Sequence, residues 1–192
     1  AFKGLYGFPS TICASIDNEV VHGLPTEEAL FDGQIIGIDV GAIYEGYYGD
    51  HAKTFSVGEI DQEKEQLIDI TRKSLLEGIK QAKPGNHIGD IGYAIQSFAE
   101  KHGYSVVREL VGHGIGSKLH EEPQIPNYGK LGYGPKIEAG MCFAIEPMIN
   151  YGGCEIYTKE DGWTVCTKDG KPSAHFEHTI TILDDGNKIL TI

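Results

Sequence analysis

The chain is 192 residues long and acidic, with 16 basic and 28 acidic side chains and a formal net charge of −12. Its length suits one domain with a substantial core, and its hydrophobic fraction of 40% argues for a folded protein. The acidic balance argues against direct nucleic-acid binding, and no apolar run approaches the roughly 20 residues that span a bilayer.

The cysteines and the first residues bear on location. No signal-peptide pattern opens the sequence. The cysteines form no C-x-x-C pair and no zinc spacing, and a domain of this size needs no disulfides, so we expect reduced thiols at Cys13, Cys142, Cys154 and Cys166. We therefore expect a cytoplasmic protein, with an organellar location left open.

The first predicted elements are two strands, over 34–44 and 47–57, which follow an irregular and strand-forming region that ends near residue 24. Glu45-Gly46 is an acidic-plus-glycine pair that suits a tight hairpin turn between the two strands. If these two residues form the turn, Asp39 lies opposite Ala52.

Two helices are predicted next. Asp61 is a suitable N-cap for a helix over 62–82, which Pro84-Gly85 ends. A second helix is predicted over 90–102, because apolar residues recur there at helical spacing and Gly103 follows. The remaining segments predict strands over 105–111, 141–150, 155–159, 163–167 and 174–183. The pattern is α+β, in one domain over 1–192.

The hairpin register places two carboxylates together. Asp39 and Asp50 have the parity of one face and lie diagonally across the ladder, with α-carbons about 7–8 Å apart. Two carboxylates aimed at one point repel each other unless a cation or a proton lies between them. A buried aspartate satisfied by backbone or hydroxyl groups is an equal alternative for this pair alone.

Three further segments carry polar side chains in apolar surroundings. His113 lies between glycines, where the backbone can turn sharply and present the imidazole. Glu146 and Glu177 each interrupt an apolar strand. Four carboxylates and one imidazole form a ligand set that suits two divalent ions, which can share and activate a water molecule.

Linked motifs across nearly the whole chain resemble those of type I methionine aminopeptidases. They are His22-Gly-Leu-Pro25, Ile38-Asp-Val40, Gly49-Asp50, Gly112-His-Gly-Ile-Gly116, His120-Glu-Glu-Pro123, Ile145-Glu-Pro-Met148 and Phe176-Glu-His178. The short gap between Glu146 and Glu177 leaves no room for the helical insertion of type II enzymes. The resemblance implies the pita-bread fold, a curved antiparallel sheet with helices on its outer face.

The same resemblance implies roles for single residues. Asp50 and Glu177 would bridge two metal ions, Asp39 would chelate one of them, and His113 and Glu146 would complete the other. Glu146 would also move protons. Substrate contacts would come from His22 and His120, which orient the scissile amide and stabilise its oxyanion, while His178 would orient a carboxylate ligand. The metal would be Co, Mn, Fe or Zn.

A methionine pocket is also implied, with Phe8, Cys13 and Trp163 in its wall and Leu5 and Leu119 beside them. Simpler alternatives exist for several of these residues. Phe8 and Cys13 are common core residues, a lone loop histidine such as His22 is usually only solvated, and the run at His120 could be surface charge. Cys13 is not expected to be a nucleophile.

One departure from the resembled family concerns helices. Type I enzymes carry two helix pairs, and this sequence predicts one, over 62–102. The N-terminal pair is expected to be missing, so part of the sheet should be uncovered. A partner chain, a fragment or self-association would then cover it.

The predicted activity is removal of the N-terminal methionine from new polypeptides with a small second residue, and the resemblance places such enzymes at the ribosome. Two alternatives stay open. One is a non-catalytic binding module or inactive fragment, and the other is a proline-directed peptidase related to prolidase and aminopeptidase P.

Overall fold

The computed structural model describes residues 1–192 and contains fourteen strands, two α-helices and a short 3-10 turn at Leu5–Gly7. The elements in chain order are β1 (Cys13–Ile16), β2 (Glu19–Val21), β3 (Ile35–Tyr44), β4 (Tyr47–Ser56), α1 (Gln62–Gln81), α2 (Ile88–Lys101), β5 (Ser105–Val106), β6 (Gly112–Gly114), β7 (Glu121–Ile125), β8 (Cys142–Ile145), β9 (Met148–Asn150), β10 (Ile156–Thr158), β11 (Val165–Thr167), β12 (Ser173–His175), β13 (His178–Leu183) and β14 (Gly186–Ile189).

The predicted hairpin is confirmed as β3 and β4. Its turn residues Glu45 and Gly46 have φ angles of 49° and 85°, the left-handed pair that a two-residue hairpin turn requires. The observed register pairs Asp39 with Ala52 and Gly41 with Asp50, as the turn position predicts.

The helix predictions are confirmed, with one correction at a helix start. The carboxylate of Asp61 caps α1 by accepting a hydrogen bond from the Lys64 amide at 2.8 Å. The second helix begins two residues earlier than predicted, because His87 and Asp90 form a reciprocal capping box in which the His87 amide donates to the Asp90 carboxylate at 2.7 Å.

Several of the strand predictions were too long. The segment 141–150 is two strands, β8 and β9, because Pro147 has no amide hydrogen with which to continue a ladder. The segment 174–183 divides at Glu177, whose amide donates to Ala52 of β4 instead of to β8. The segment 105–111 keeps only Ser105–Val106 as a strand, and β7 and β14 were not predicted.

The helices and the polar residues of interest occupy opposite faces of the sheets. In β8 the buried Phe143 and Ile145 belong to the main core with α1 and α2, whereas Ala144 belongs to a separate cluster with Phe8 and Cys13. This alternation leaves the face away from the helices for a site. The strands form one five-stranded and three three-stranded antiparallel sheets, so the α+β prediction is confirmed.

The predicted uncovered sheet surface is also visible. On the face of β3 and β4 opposite Asp39, Val40 is 42% exposed and Phe55 is 44% exposed, while Tyr44 and Tyr47 are more exposed still. Neither helix is long and apolar enough to cross a membrane.

Candidate metal centre

Asp39 and Asp50 reach the site from the β3–β4 hairpin. Cys13 of β1 pairs with Asp39, so one thiol and two carboxylates meet on one face of a three-stranded sheet. Burial raises the pKa of both carboxyls, and the charge of Asp50 raises that of Asp39 further. Burial and the two aspartates also raise the pKa of the Cys13 thiol, which therefore stays protonated and is a poor nucleophile.

His113 lies in β6, between β8 and β7 in the five-stranded sheet. Its glycine neighbours do not make the turn expected from the sequence. They allow close packing, because a Cβ on Gly112 would stand 2.4 Å from the Ala144 carbonyl oxygen and one on Gly114 would stand 2.3 Å from that of Glu122.

The imidazole of His113 is oriented by its own backbone. Its Nδ1 lies 2.8 Å from the Gly114 carbonyl, which can only accept, so Nδ1 carries the proton and Nε2 is free to bind a metal. Nε2 stands 3.5 Å from Oε1 of Glu146. Burial lowers the pKa of His113 to about 4, so the ring is neutral near neutral pH.

Each glutamate lies next to the end of a strand. Glu146 comes directly after β8 and Glu177 directly before β13, where each strand changes its partner. Burial raises the pKa of both, with the charge of Asp50 adding to the effect. The carbonyl oxygen of Glu177 accepts a hydrogen bond from Nδ1 of His51 at 2.6 Å.

His178 does not contact a carboxylate, contrary to the role expected for it. It is the first residue of β13. Its Nδ1 contacts the Thr191 hydroxyl at 2.9 Å, and its ring stacks on His51 at 4.9 Å.

The side chains of Asp50, His113 and Glu177 converge closely enough for one ion. A ligand atom from each lies within 4.8 Å of the other two, and all three residues are buried. Asp39 and Glu146 border the same cavity. Asp39 Oδ1 and Glu177 Oε1 have no hydrogen-bond partner, an arrangement that is costly for buried carboxylates without a cation.

His22 and His120 line the approach to this cluster. His22 has a φ angle of 60°, a strained position for histidine, and Gly23 beside it packs so closely on β1 that a Cβ would stand 2.2 Å from the Ala14 carbonyl oxygen. The ring of His120 stands edge-on to His113 at 4.5 Å and is stacked with Tyr6 at 6.0 Å. Burial lowers the pKa of both histidines.

An apolar recess opens beside the carboxylates. Its volume is about 140 Å³, and Phe8 packs edge-to-face on Trp163 at 5.2 Å in its wall. Its apolar lining is completed by Phe2, Leu5, Tyr6, Cys13 and Leu119. A wider cleft of about 840 Å³ adjoins it and shares Tyr6, His22, His113, His120 and Glu146.

Comparison with known proteins identifies the family. Residues 3–184 match the model of metallopeptidase family M24. The chain is 52% identical to the methionine aminopeptidase of Clostridium perfringens, over all of this chain and 77% of that protein. The chain belongs to the methionine aminopeptidase family of M24 metallopeptidases.

Solved structures agree with this membership. The crystal structure of methionine aminopeptidase from Rickettsia prowazekii superimposes with a TM-score of 0.98 at 47% identity, over all of this chain and 77% of that one. Prolidase from Pyrococcus furiosus matches with a TM-score of 0.76 at 22% identity, over 95% of this chain and 49% of that one, which shows a shared fold alone. The pita-bread fold expected from the sequence is therefore confirmed.

Membership in this metallopeptidase family implies use of a divalent metal, and the residues present fit one. Carboxylate oxygens and a neutral imidazole are the ligands that Mn, Fe, Co and Zn accept. The unpartnered oxygens of Asp39 and Glu177 are the positions at which a buried cation would replace missing hydrogen bonds.

His175 is a further residue of the site, and it was not among the residues predicted from the sequence. It is buried at 4% exposure, its Nε2 has no hydrogen-bond partner, and this atom lies 3.6 Å from Oε2 of Glu146. Burial lowers its pKa to about 4. Strand alternation could have found it, because His175 and Glu177 share the same parity and hence the same face.

Proposed function

We propose that this chain releases the N-terminal methionine of polypeptides by hydrolysing the first peptide bond. One observation carries the proposal: a single recess is lined both by the aromatic side chains of Phe8 and Trp163 and by the carboxylates of Asp39, Asp50 and Glu177. An engineered cavity of roughly 150 Å³ holds a benzene-sized group, so this recess takes a single side chain. The scissile bond then lies beside the carboxylates.

We propose Asp39, Asp50, His113, Glu146 and Glu177 as the residues that hold the metal, as two divalent ions of Co, Mn, Fe or Zn. When bound, such ions supply Lewis-acid activation of water and of the scissile carbonyl. The protein must also present its ligand atoms in the protonation state that binds a cation. Above about pH 5 His113 offers a neutral Nε2, because its pKa is about 4.

Glu146 is the proposed proton carrier. It takes a proton from the attacking water while the water oxygen bonds to the carbonyl carbon. It then gives the proton to the leaving amine nitrogen as the carbon–nitrogen bond breaks. A carboxylate at this position can both accept the proton from water and return it to the amine.

His22 and His120 are proposed to bind the substrate amide and its oxyanion. Both border the recess and the wider cleft, so they lie at the junction where a scissile bond would stand. Because burial lowers their pKa, they act as neutral N–H donors near neutral pH.

Specificity is proposed to come from the two connected spaces. The recess lined by Phe8, Cys13 and Trp163 takes the methionine side chain, for which aromatic and thiol walls are suitable. The rest of the polypeptide leaves through the cleft past Tyr6 and His120. A small second residue is proposed from the family resemblance.

The setting of this activity is proposed as follows. The substrates are new polypeptide N-termini at the ribosome, in the cytoplasm or an organelle, and the four free cysteines suit a reducing compartment. A partner chain, a fragment or a second copy covers the exposed face that carries Val40 and Phe55.

A substrate comparison tests this function. The chain is loaded with Co²⁺ or Mn²⁺ and given Met-Ala-Ser, Met-Leu-Ser and Ala-Pro, and free amino acids are quantified. We expect methionine from Met-Ala-Ser, less from Met-Leu-Ser and none from Ala-Pro. Cleavage of Ala-Pro alone would favour the proline-directed peptidase. No cleavage by a folded, metal-loaded chain would favour a binding module or inactive fragment.

A further inference from the structure

The strands β4 and β13 carry two proposed metal ligands but are not joined by a ladder. Asp50 lies in β4, which pairs with β3, and Glu177 immediately precedes β13, which pairs with β8 and β14. A single backbone hydrogen bond links the two segments, from the Glu177 amide to the Ala52 carbonyl at 2.8 Å. The geometry of the two carboxylates therefore depends on other contacts.

A threonine hydroxyl bridges the strands on each side of this bond. On one side the Asp50 amide donates to Thr179 Oγ1 at 2.8 Å, and the same hydroxyl donates to the Asp50 carbonyl at 2.8 Å. On the other side Thr54 Oγ1 accepts from the His175 amide and donates to the His175 carbonyl, both at 2.9 Å.

These hydroxyls stand where an antiparallel ladder would have a direct pair of backbone hydrogen bonds. An inserted hydroxyl keeps the backbones farther apart while satisfying both polar groups of the residue opposite. Thr179 is 3% exposed, and its own amide donates to the Thr191 hydroxyl at 3.2 Å, so its position is fixed. His51 adds a side-chain contact to the Glu177 carbonyl at 2.6 Å, but Thr179 is the side chain that bonds directly to the amide and carbonyl of Asp50.

We propose that Thr179 is a positioning residue for the metal centre. Its hydroxyl sets the backbone of Asp50, and thereby the separation of the Asp50 and Glu177 carboxylates, without touching the metal or the substrate. This inference rests on the proposed metal centre. Residues that hydrogen-bond to metal ligands and orient them typically support metal affinity by about 10–100-fold, which is lost when they are replaced.

Valine and serine variants of Thr179 separate the hydroxyl from the side-chain shape. Thr179→Val keeps the shape but leaves the amide and carbonyl of Asp50 unpaired in a buried position, whereas Thr179→Ser keeps the hydroxyl. Thr71→Val is the control, because Thr71 is equally buried but donates its hydroxyl to Leu67 within α1, at 2.7 Å. If Thr179→Val does not fold, Thr179→Ala takes its place.

The measurements are Co²⁺ affinity by calorimetry and the visible absorption spectrum of the bound Co²⁺, which reports its coordination. We expect Thr179→Val to bind Co²⁺ at least about tenfold more weakly, with an altered spectrum. Thr179→Ser and Thr71→Val should keep the wild-type spectrum and an affinity within about threefold of wild type.

Wild-type affinity and spectrum in Thr179→Val would overturn the proposal. So would equal losses in the valine and serine variants, or in Thr71→Val, because the hydroxyl would then not be responsible. Methionine release is assayed separately: a wild-type chain that binds Co²⁺ but releases no methionine contradicts the proposed activity and leaves the role of Thr179 to the binding data. A wild-type chain that takes up no Co²⁺ contradicts both.

Discussion

Asp39 and Asp50 lie diagonally across the β3–β4 hairpin on one buried face, and the pKa of each carboxyl is raised. Burial is the main cause for both, and the negative charge of Asp50 acts on Asp39 as well. Glu146 and Glu177 extend the same pattern, since burial and Asp50 raise their pKa too. In the metal-free protein, these four carboxyl groups therefore keep their protons at pH values at which isolated carboxyl groups are ionised.

We therefore expect metal binding to release protons. A cation lowers the raised pKa of the carboxyls, so the protons leave, and apparent affinity should rise with pH. His113 contributes little above pH 5, because its pKa is already about 4. Calorimetric titration of the metal-free protein with Mn²⁺ in two buffers of different ionisation enthalpy measures the number of protons. Equal heats in both buffers would contradict this expectation.

Asp50→Asn should make the free energy of unfolding of the metal-free chain less dependent on pH. The folded-state pKa of Asp50 is raised above its ordinary value of 3.8, so its ionisation on raising the pH lowers the free energy of unfolding. A neutral amide removes that penalty. Urea denaturation in the presence of a chelator measures the free energy of unfolding of both proteins. The value for the variant minus that for wild type should increase from pH 4 to pH 8.

Asp69→Asn is the matched control for that experiment. Asp69 is partly exposed on α1, where it pairs with Lys73 and Arg72, and these contacts lower its pKa below 3.8, so its replacement should change the profile little between pH 4 and pH 8. If the free energy of unfolding depends on pH in the same way in wild type and Asp50→Asn, ionisation of Asp50 does not destabilise the folded chain.

Glu146→Gln should lower kcat for methionine release. Glutamine cannot carry the proton from water to the leaving amine, and loss of such a group typically costs about 10²–10⁴-fold. KM should change less, because Glu146 lies outside the apolar wall of the recess. The metal content of the variant must be measured beside its rate, and the exposed Glu155→Gln serves as control. Full activity in a metal-loaded Glu146→Gln protein would exclude the proton-carrying role.

Phe8→Ala should weaken recognition of methionine. Phe8 packs on Trp163 and Phe2, at 5.2 and 6.4 Å between ring centroids, and its removal enlarges the recess. We expect kcat/KM for Met-Ala-Ser to fall by roughly tenfold or more, mainly through KM. Phe98→Ala, which affects the packing of α2 on the helix side, controls for general loss of stability. An unchanged KM would place the methionine side chain elsewhere.

The hairpin part of the site was predictable because local rules determine it. The turn at Glu45-Gly46 fixes the register, and the register places Asp39 and Asp50 on one face. The N-cap of α1 at Asp61 follows from equally local chemistry. In these places the sequence needs no information about distant strands.

The junction between β4 and β13 was not predictable in the same way. The apolar pattern continues through Glu146 and Glu177, so single long strands were expected, but each strand changes partner there. The contacts of Thr179 and His175 join residues more than a hundred positions apart in the sequence. The family resemblance supplied the ligand residues, but it did not supply these contacts.

The most direct test of the account is release of free methionine from Met-Ala-Ser by metal-free protein, by protein reloaded with Co²⁺ or Mn²⁺, and by Asp50→Asn treated in the same way. We expect release only from the reloaded wild-type protein. Equal release by the metal-free protein, or by Asp50→Asn, would contradict a metal centre built on Asp50. No release from folded protein with stoichiometric metal would contradict the proposed activity itself.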